Sequence, residues 1–91
     1  MAALFSNITA NSSSTGVLFD SPREIQIQVY GTFDTCTVTL EASWDDSTYS
    51  TVGSLGTFTS TGWCTIAVQP GMYLRGTISS VGASTDVSAD Y

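Results

Sequence analysis

Hydrophobic and polar residues alternate through much of this chain with the two-residue period of a β-strand. In residues 24–30, Ile25, Ile27 and Val29 share one face, and the residues between them are glutamines. A strand with this pattern buries one face and leaves the other in water. The segment is therefore predicted as a half-buried strand of an antiparallel sheet.

Similar short segments follow one another at intervals of about 8–12 residues, separated by turn-forming Gly, Pro, Asp and Ser. The predicted strands cover residues 16–19, 24–30, 35–44, 48–52, 57–59, 62–68, 72–79 and 85–91. The predicted turns lie at residues 20–22, 31–34, 45–47, 53–56, 70–71 and 82–83. This spacing predicts an all-β fold, an immunoglobulin-like or related β-sandwich of about seven or eight short antiparallel strands.

The later strands carry in-phase apolar residues that are predicted to face inward. They are Cys36, Val38, Leu40, Ala42, Cys64, Ile66, Val68, Leu74, Ile78, Val87, Ala89 and Tyr91. Tyr73 and Arg75 take the opposite phase and are predicted to face outward. Aromatic residues and Arg are enriched at interfaces, so both are interface candidates. We expect Arg75 either to pair with Glu41 of its own chain or to meet an acidic group of a partner.

The first fifteen residues are predicted as an N-terminal arm ahead of a β-sandwich domain at residues 16–91. The arm carries the apolar residues Leu4, Phe5 and Ile8, and a Ser-rich stretch of linker character follows them. An arm with a few apolar anchors either covers an edge of its own sheet or reaches onto a neighbouring molecule. These three residues are therefore further interface candidates.

The composition narrows the choice of partner. The chain has fourteen Ser, fourteen Thr, eight acidic residues and two arginines, which gives a net charge of −6. Nucleic acids and anionic membranes attract Lys and Arg, so neither is an expected partner. No apolar run approaches the roughly 20 residues of a membrane-spanning helix, and the N-terminus lacks the basic and apolar regions of a secretory signal. The expected partner is protein.

The residues needed for common catalytic chemistry are missing. The chain has no His, the usual general base and metal ligand, and no Lys to activate a serine nucleophile. Asp45 and Asp46 are adjacent, and neighbouring residues on a strand point in opposite directions. We therefore expect no enzymatic activity, no cofactor and no small-molecule substrate. The one metal alternative is a Ca²⁺ ion bound by these two carboxylates and nearby turn carbonyls. Because acidic side chains in turns are ordinarily solvated, this site is not the favoured prediction.

Cys36 and Cys64 share the inward phase on different predicted strands, so they could form a disulfide between the two sheets. Only 28 residues separate them. A bacterial cytosol would keep both thiols reduced, and free thiols are the favoured prediction.

Several short stretches together resemble small virion proteins of tailed bacteriophages. The resemblance covers about residues 25 to 91. Its elements are Gly31-Thr32-Phe33, Thr37-Val38-Thr39-Leu40-Glu41, Ser43-Trp44-Asp45-Asp46, Phe58-Thr59, Gly62 and Pro70-Gly71-Met72-Tyr73-Leu74-Arg75-Gly76-Thr77-Ile78-Ser79.

This resemblance implies a structural subunit made in the bacterial host cytoplasm and located in the virion. We expect a capsid decoration or cement protein on the capsid surface, which binds the major capsid protein lattice and neighbouring copies of itself, as a trimer in one arrangement. A tail, fibre or head–tail junction component is the alternative within the virion. A glycan-binding module is an alternative of another class, and its outward aromatic residues would be Trp44, Trp63 and Tyr73.

Overall fold

A computed structural model describes residues 2–53 and 56–91 of the chain, and these residues contain ten β-strands and no α-helix. The strands are β1 (Ala3–Ile8), β2 (Ser12–Ser13), β3 (Val17–Phe19), β4 (Arg23–Thr32), β5 (Thr37–Ser43), β6 (Ser50–Thr51), β7 (Thr57–Phe58), β8 (Gly62–Val68), β9 (Met72–Ser79) and β10 (Asp86–Asp90).

The first sheet has four antiparallel strands in the order β1-β10-β4-β8. Strand β4 is the longest and lies inside this sheet, where its backbone pairs with β10 on one side and β8 on the other. Strand β8 pairs with it along all seven residues, from Arg23 opposite Val68 to Val29 opposite Gly62. Strand β8 is an edge of this sheet, and β1 is the other.

The second sheet has six antiparallel strands around a central pair, β5 and β9. Two short strands, β2 and β3, pair with successive parts of β9 on its far side. Two more short strands, β6 and β7, pair with β5. Each outer edge of the six-stranded sheet is therefore built from two interrupted pieces.

The two sheets share one hydrophobic core. Ile27 and Val29 of the four-stranded sheet are fully buried, as are Val38, Leu40 and Leu74 of the six-stranded sheet. All five lie at positions where the alternating pattern predicted an inward side chain. The predicted all-β, two-sheet antiparallel architecture is confirmed.

The N-terminal segment is part of the sandwich. Strand β1 pairs with β10, and β2 pairs with β9, so residues 3–13 contribute to both sheets. Leu4 and Phe5, which were interface candidates if the arm reached a neighbour, are core residues of their own chain, each 5% exposed. Of the two alternatives for the arm, the structure has the one in which it pairs with its own sheets. The boundary predicted at residue 15 does not separate two structural units within the described residues; Met1 lies outside them.

Strand β1 is irregular, so alternation alone does not predict it. Its register against β10 shifts between Ala3 and Phe5 and again between Phe5 and Ile8. Asn7 has a φ of 52°, in the left-handed region that Asn tolerates better than most residues. Such bulges place consecutive residues on one face, so a search for a two-residue period misses the strand.

The other predicted strands differ from the structure mainly at their ends. The segments predicted at residues 62–68 and 72–79 match β8 and β9. The strand predicted at residues 48–52 is shortened to β6, because a turn holds the residues before it. The turn predicted at residues 53–56 includes residues 54 and 55, which lie outside the described residues.

Candidate binding surfaces

Metal-binding side chains do not cluster in the described residues. No group of three or more Cys, Asp or Glu side chains in residues 2–53 and 56–91 is placed to hold a metal ion. The acidic residues proposed as a calcium alternative take part in a local turn instead. Surfaces able to bind another molecule are therefore the candidate functional features.

The turn after β5 is held by Asp45. Its Oδ1 accepts hydrogen bonds from the backbone N–H groups of Thr48 at 2.9 Å and Ser47 at 3.0 Å, and from the Ser43 hydroxyl at 2.8 Å. These bonds lower the pKa of Asp45 below its usual value, and the bond from Thr48 contributes most. Asp46 has a left-handed φ of 57° and accepts a hydrogen bond from the Tyr49 hydroxyl. Both acids therefore shape the turn.

A polar cluster occupies the outer face of the six-stranded sheet. Arg75 Nε lies 2.8 Å from Glu41 Oε1, and the Thr77 hydroxyl donates to the same oxygen at 2.7 Å. Burial opposes ionisation of Glu41, but the bonds from Thr77 and Arg75 outweigh it and lower the pKa of this carboxyl. The Arg75 guanidinium carbon also lies 3.8 Å from the centre of the Tyr49 ring. Of the two alternatives for Arg75, the structure has the pair with Glu41.

Leu18 and Tyr73 lie beside this cluster. They are direct neighbours across the β3–β9 pairing, and Tyr73 is in turn opposite Ser43 of β5. Leu18 is 53% exposed, whereas Tyr73 is half-buried. Tyr73 thus faces outward as predicted, within a partly apolar outer face. Leu18 was not singled out from the sequence, although its phase is opposite to that of Val17 and Phe19.

Trp44 stands at the rim of an open cavity at the end of β5. The side chain is 68% exposed. The cavity has a volume of about 440 Å³. Its lining combines apolar and hydroxyl-bearing side chains: Ala42, Ser43, Trp44, Asp45, Thr48, Ser50 and Met72. This cavity, called the Trp44 cavity below, joins an exposed aromatic face to a carboxylate and several hydroxyls.

Trp63 lies on the edge strand β8. It is 63% exposed, because it has the opposite phase to the inward-facing Cys64 and Ile66. Directly across the β4–β8 pairing, Gln28 faces Trp63 and Gln26 faces Thr65. An open depression of about 510 Å³ lies among Trp63, Thr65, Gln26 and Cys64. This part of the surface carries no charged side chain.

The remaining predicted site residues are Ile8 and the two cysteines, of which Cys64 also lines the depression beside Trp63. Ile8 is half-buried opposite Val87 and packs against the core. Cys36 is buried beside the start of β5, and Cys64 is half-buried on β8 of the other sheet. Both are free thiols, and burial is the main cause that raises the pKa of each.

No helix among the described residues is long and apolar enough to span a membrane. The chain matches no protein-family model, no curated protein and no solved structure.

Proposed function

We propose that this chain is a structural virion protein, a decoration or cement protein that binds the lattice of the major capsid protein and stabilises the head. The observation that carries the proposal is the position of the two tryptophans. Trp is highly buried on average in folded proteins, yet Trp44 and Trp63 are 68% and 63% exposed. Exposed aromatic residues of this size are typical anchors of protein interfaces.

The phage capsid as partner is inferred from the sequence resemblance, and the surface chemistry supports it. With a net charge of −6 and two arginines, the chain is suited to a protein partner rather than to the packaged DNA. One of those arginines, Arg75, is already paired with Glu41. Contacts at two separate exposed tryptophans allow one copy to touch two neighbouring capsid subunits. Each contact can be weak, because linked contacts strengthen one another.

Binding to purified phage heads that lack the chain tests the proposal. We expect the wild-type chain to co-sediment with the heads until a fixed number of lattice sites is filled. Replacing both tryptophans (Trp44→Ser with Trp63→Ser) should weaken binding at least tenfold, since exposed aromatic anchors are removed without disturbing the core. The matched control is Thr51→Ser, a small change at an exposed residue of β6.

Two results would contradict the proposal. The first is binding by the double tryptophan variant that equals wild-type binding. The second is saturation at only a few sites per particle, which would favour a tail, fibre or head–tail junction component. Unfolding curves of each variant establish that a loss of binding is not a loss of fold.

A glycan-binding module is a second candidate, favoured by the Trp44 cavity. The exposed indole face could stack on the apolar face of a sugar ring. The carboxylate of Asp45 and the hydroxyls of Thr48 and Ser50 line this cavity and offer hydrogen bonds to sugar hydroxyls. The turn bonds to Oδ1 already hold the Asp45 carboxylate in place, so little ordering is needed on binding.

A titration of neutral oligosaccharides, followed by tryptophan fluorescence, tests this second candidate. Saturable binding that Trp44→Ala abolishes and Trp63→Ala leaves intact would support a site at the Trp44 cavity. Binding that is absent from a broad panel of bacterial surface glycans would exclude it.

A further inference from the structure

Strand β8 is a long edge strand with a regular register. All seven residues from Gly62 to Val68 pair with β4 on one side. No residue in the described part of the chain pairs with its other side. An edge of this kind presents unpaired N–H and C=O groups that can pair with another strand, and natural proteins usually protect such edges.

The other sheet edges show such protection. Strand β1 has two register shifts along its pairing with β10. The edges of the six-stranded sheet consist of strands of two or three residues. Strand β8 has no bulge in its register, no Pro and no charged residue. Its open side therefore has the properties of a pairing surface.

We propose that β8 pairs with β8 of a second copy of this chain, antiparallel about a two-fold axis at Thr65. Thr65 is the middle residue of the strand, so this register pairs all seven residues of each copy. The two four-stranded sheets then form one continuous sheet of eight strands. A two-fold contact of this kind uses the same surface on both copies, and each residue pair occurs twice.

The side chains along β8 complement themselves in this register. On the outer face, Trp63 lies opposite the small Ala67 of the second copy, and Thr65 lies opposite Thr65. Cross-strand pairs of Thr stabilise a sheet. On the inner face, Cys64 lies opposite Ile66. Both are only half-buried in the single chain, although they face the core. The second copy would cover them.

The charge distribution permits a second copy as the occupant, despite the net charge of −6. The chain carries a net charge of −6, but residues 47–74 contain no charged side chain. Two acidic molecules can meet along β8 without opposed carboxylates at the contact. Complementary charges commonly select a different protein as the partner of a surface. Strand β8 carries no charged side chain, so this kind of selection does not act on it. This inference goes beyond the proposed function because it requires no capsid.

Sedimentation equilibrium over a concentration series tests the pairing. We expect wild type to form a reversible dimer, and Thr65→Lys to weaken it at least tenfold, because two lysines would face each other at the axis. Gln26→Lys is the matched control. It lies on the same outer face, opposite Thr65 but one strand further in, and it changes the net charge from −6 to −5 as Thr65→Lys does.

Three outcomes of this experiment would overturn the proposal: a wild-type chain that stays monomeric at about millimolar concentration, equal weakening by the two lysine variants, or a trimer. None of these outcomes depends on binding to phage heads. Failure of the self-pairing and failure of the proposed function are therefore separate results.

Disulfide trapping tests the register. In a Cys64→Ser background, Thr65→Cys places two thiols on residues whose Cα atoms would be about 4.5–5.5 Å apart, within the range that a disulfide spans. We expect a covalent dimer under mild oxidation. Gln26→Cys in the same background is the control, since three strand spacings would separate its thiols by about 14 Å. A Thr65→Cys variant that cross-links no better than Gln26→Cys contradicts the two-fold register.

Discussion

The side chains of Trp44 and Trp63 point away from the core. Trp63 has the opposite phase to Cys64, Ile66 and Val68 on β8, and Trp44 follows β5 at the start of a turn. The outward position of Trp63 can be recognised from the sequence. Trp44 shares the predicted inward phase of Leu40 and Ala42, and its exposure follows from the end of β5 at Ser43, which alternation does not reveal. The Trp44 cavity could not be predicted, because its lining comes from the ends of three strands that meet only in the folded chain.

Tryptophan fluorescence measures this exposure directly. Because both indoles are more than 60% exposed, we expect the folded chain to emit close to the wavelength of tryptophan in water. Unfolding in urea should shift the emission maximum very little, and acrylamide should quench the folded and unfolded states to a similar degree. A large red shift on unfolding would contradict the exposed positions.

The phenol of Tyr49, on the outer face of the six-stranded sheet, has a raised pKa. Burial, followed by its hydrogen bond to Asp46, raises the pKa of Tyr49 to about 12 from an ordinary 10.0. The folded state therefore favours the neutral phenol. The stability linked to Tyr49 is fully present below pH 10 and is lost as the pH rises toward about 12.

An absorbance titration of phenolate formation checks this prediction. We expect Tyr49→Phe to remove the component that titrates near pH 12. Tyr30→Phe is the control: Tyr30 donates to Asp90 on the other sheet, so its loss should leave the Tyr49 component in place. A titration unchanged by Tyr49→Phe would show that the assignment is wrong.

At the scale of the elements, regular strands could be predicted and irregular ones could not. Strands β8 and β9 alternate cleanly and are bounded by turn residues such as Pro70 and Gly71, so their predicted limits match the structure. Strand β1 is bulged, and the two-residue strand β2 is too short to show a period. Their pairing depends on distant strands β10 and β9, which local alternation does not reveal.

Strand β1 is held in the sandwich by contact between Phe5 and Gly76 of β9. A Cβ atom added at Gly76 would overlap the Phe5 ring. We expect Gly76→Ala to destabilise the fold by about 1–3 kcal/mol, as overpacking of a core does. Urea unfolding measures this loss.

A double-mutant cycle supplies the control for this contact. Phe5→Leu removes the part of the ring that blocks the new methyl group, so the double variant should lose less stability than the sum of the two single changes. Strict additivity would indicate that the two residues do not pack against each other.

The ion pair between β5 and β9 makes these central strands sensitive to acid. The pKa of Glu41 is lowered in the folded state, so its contribution to stability is present above its ordinary value of 4.5. This contribution is lost as the pH falls through the lowered folded value. We expect Glu41→Gln to cost about 1 kcal/mol at neutral pH and to reduce the dependence of stability on acid pH. Thermal unfolding of both proteins between pH 7 and pH 3 measures the difference; parallel curves would contradict it.

In the whole molecule, the two sheets enclose most of the aliphatic side chains. The residues able to contact another molecule, such as Leu18, Trp44 and Trp63, lie on the surface. The all-β fold follows from alternation and turn spacing, because both are local properties of the sequence. Partner choice depends on which exposed residues come together in space, and Leu18 beside Tyr73 shows this for the six-stranded sheet. The proposed virion role is therefore tested on the particle itself.

Electron cryo-microscopy of intact phage particles tests the central proposal most directly, since it locates the chain and counts its copies together. We expect a two-sheet block of density at repeated lattice positions on the outer capsid surface, with exposed tryptophans against the capsid protein. Density confined to the tail, or particles that contain no copy of the chain, would contradict it.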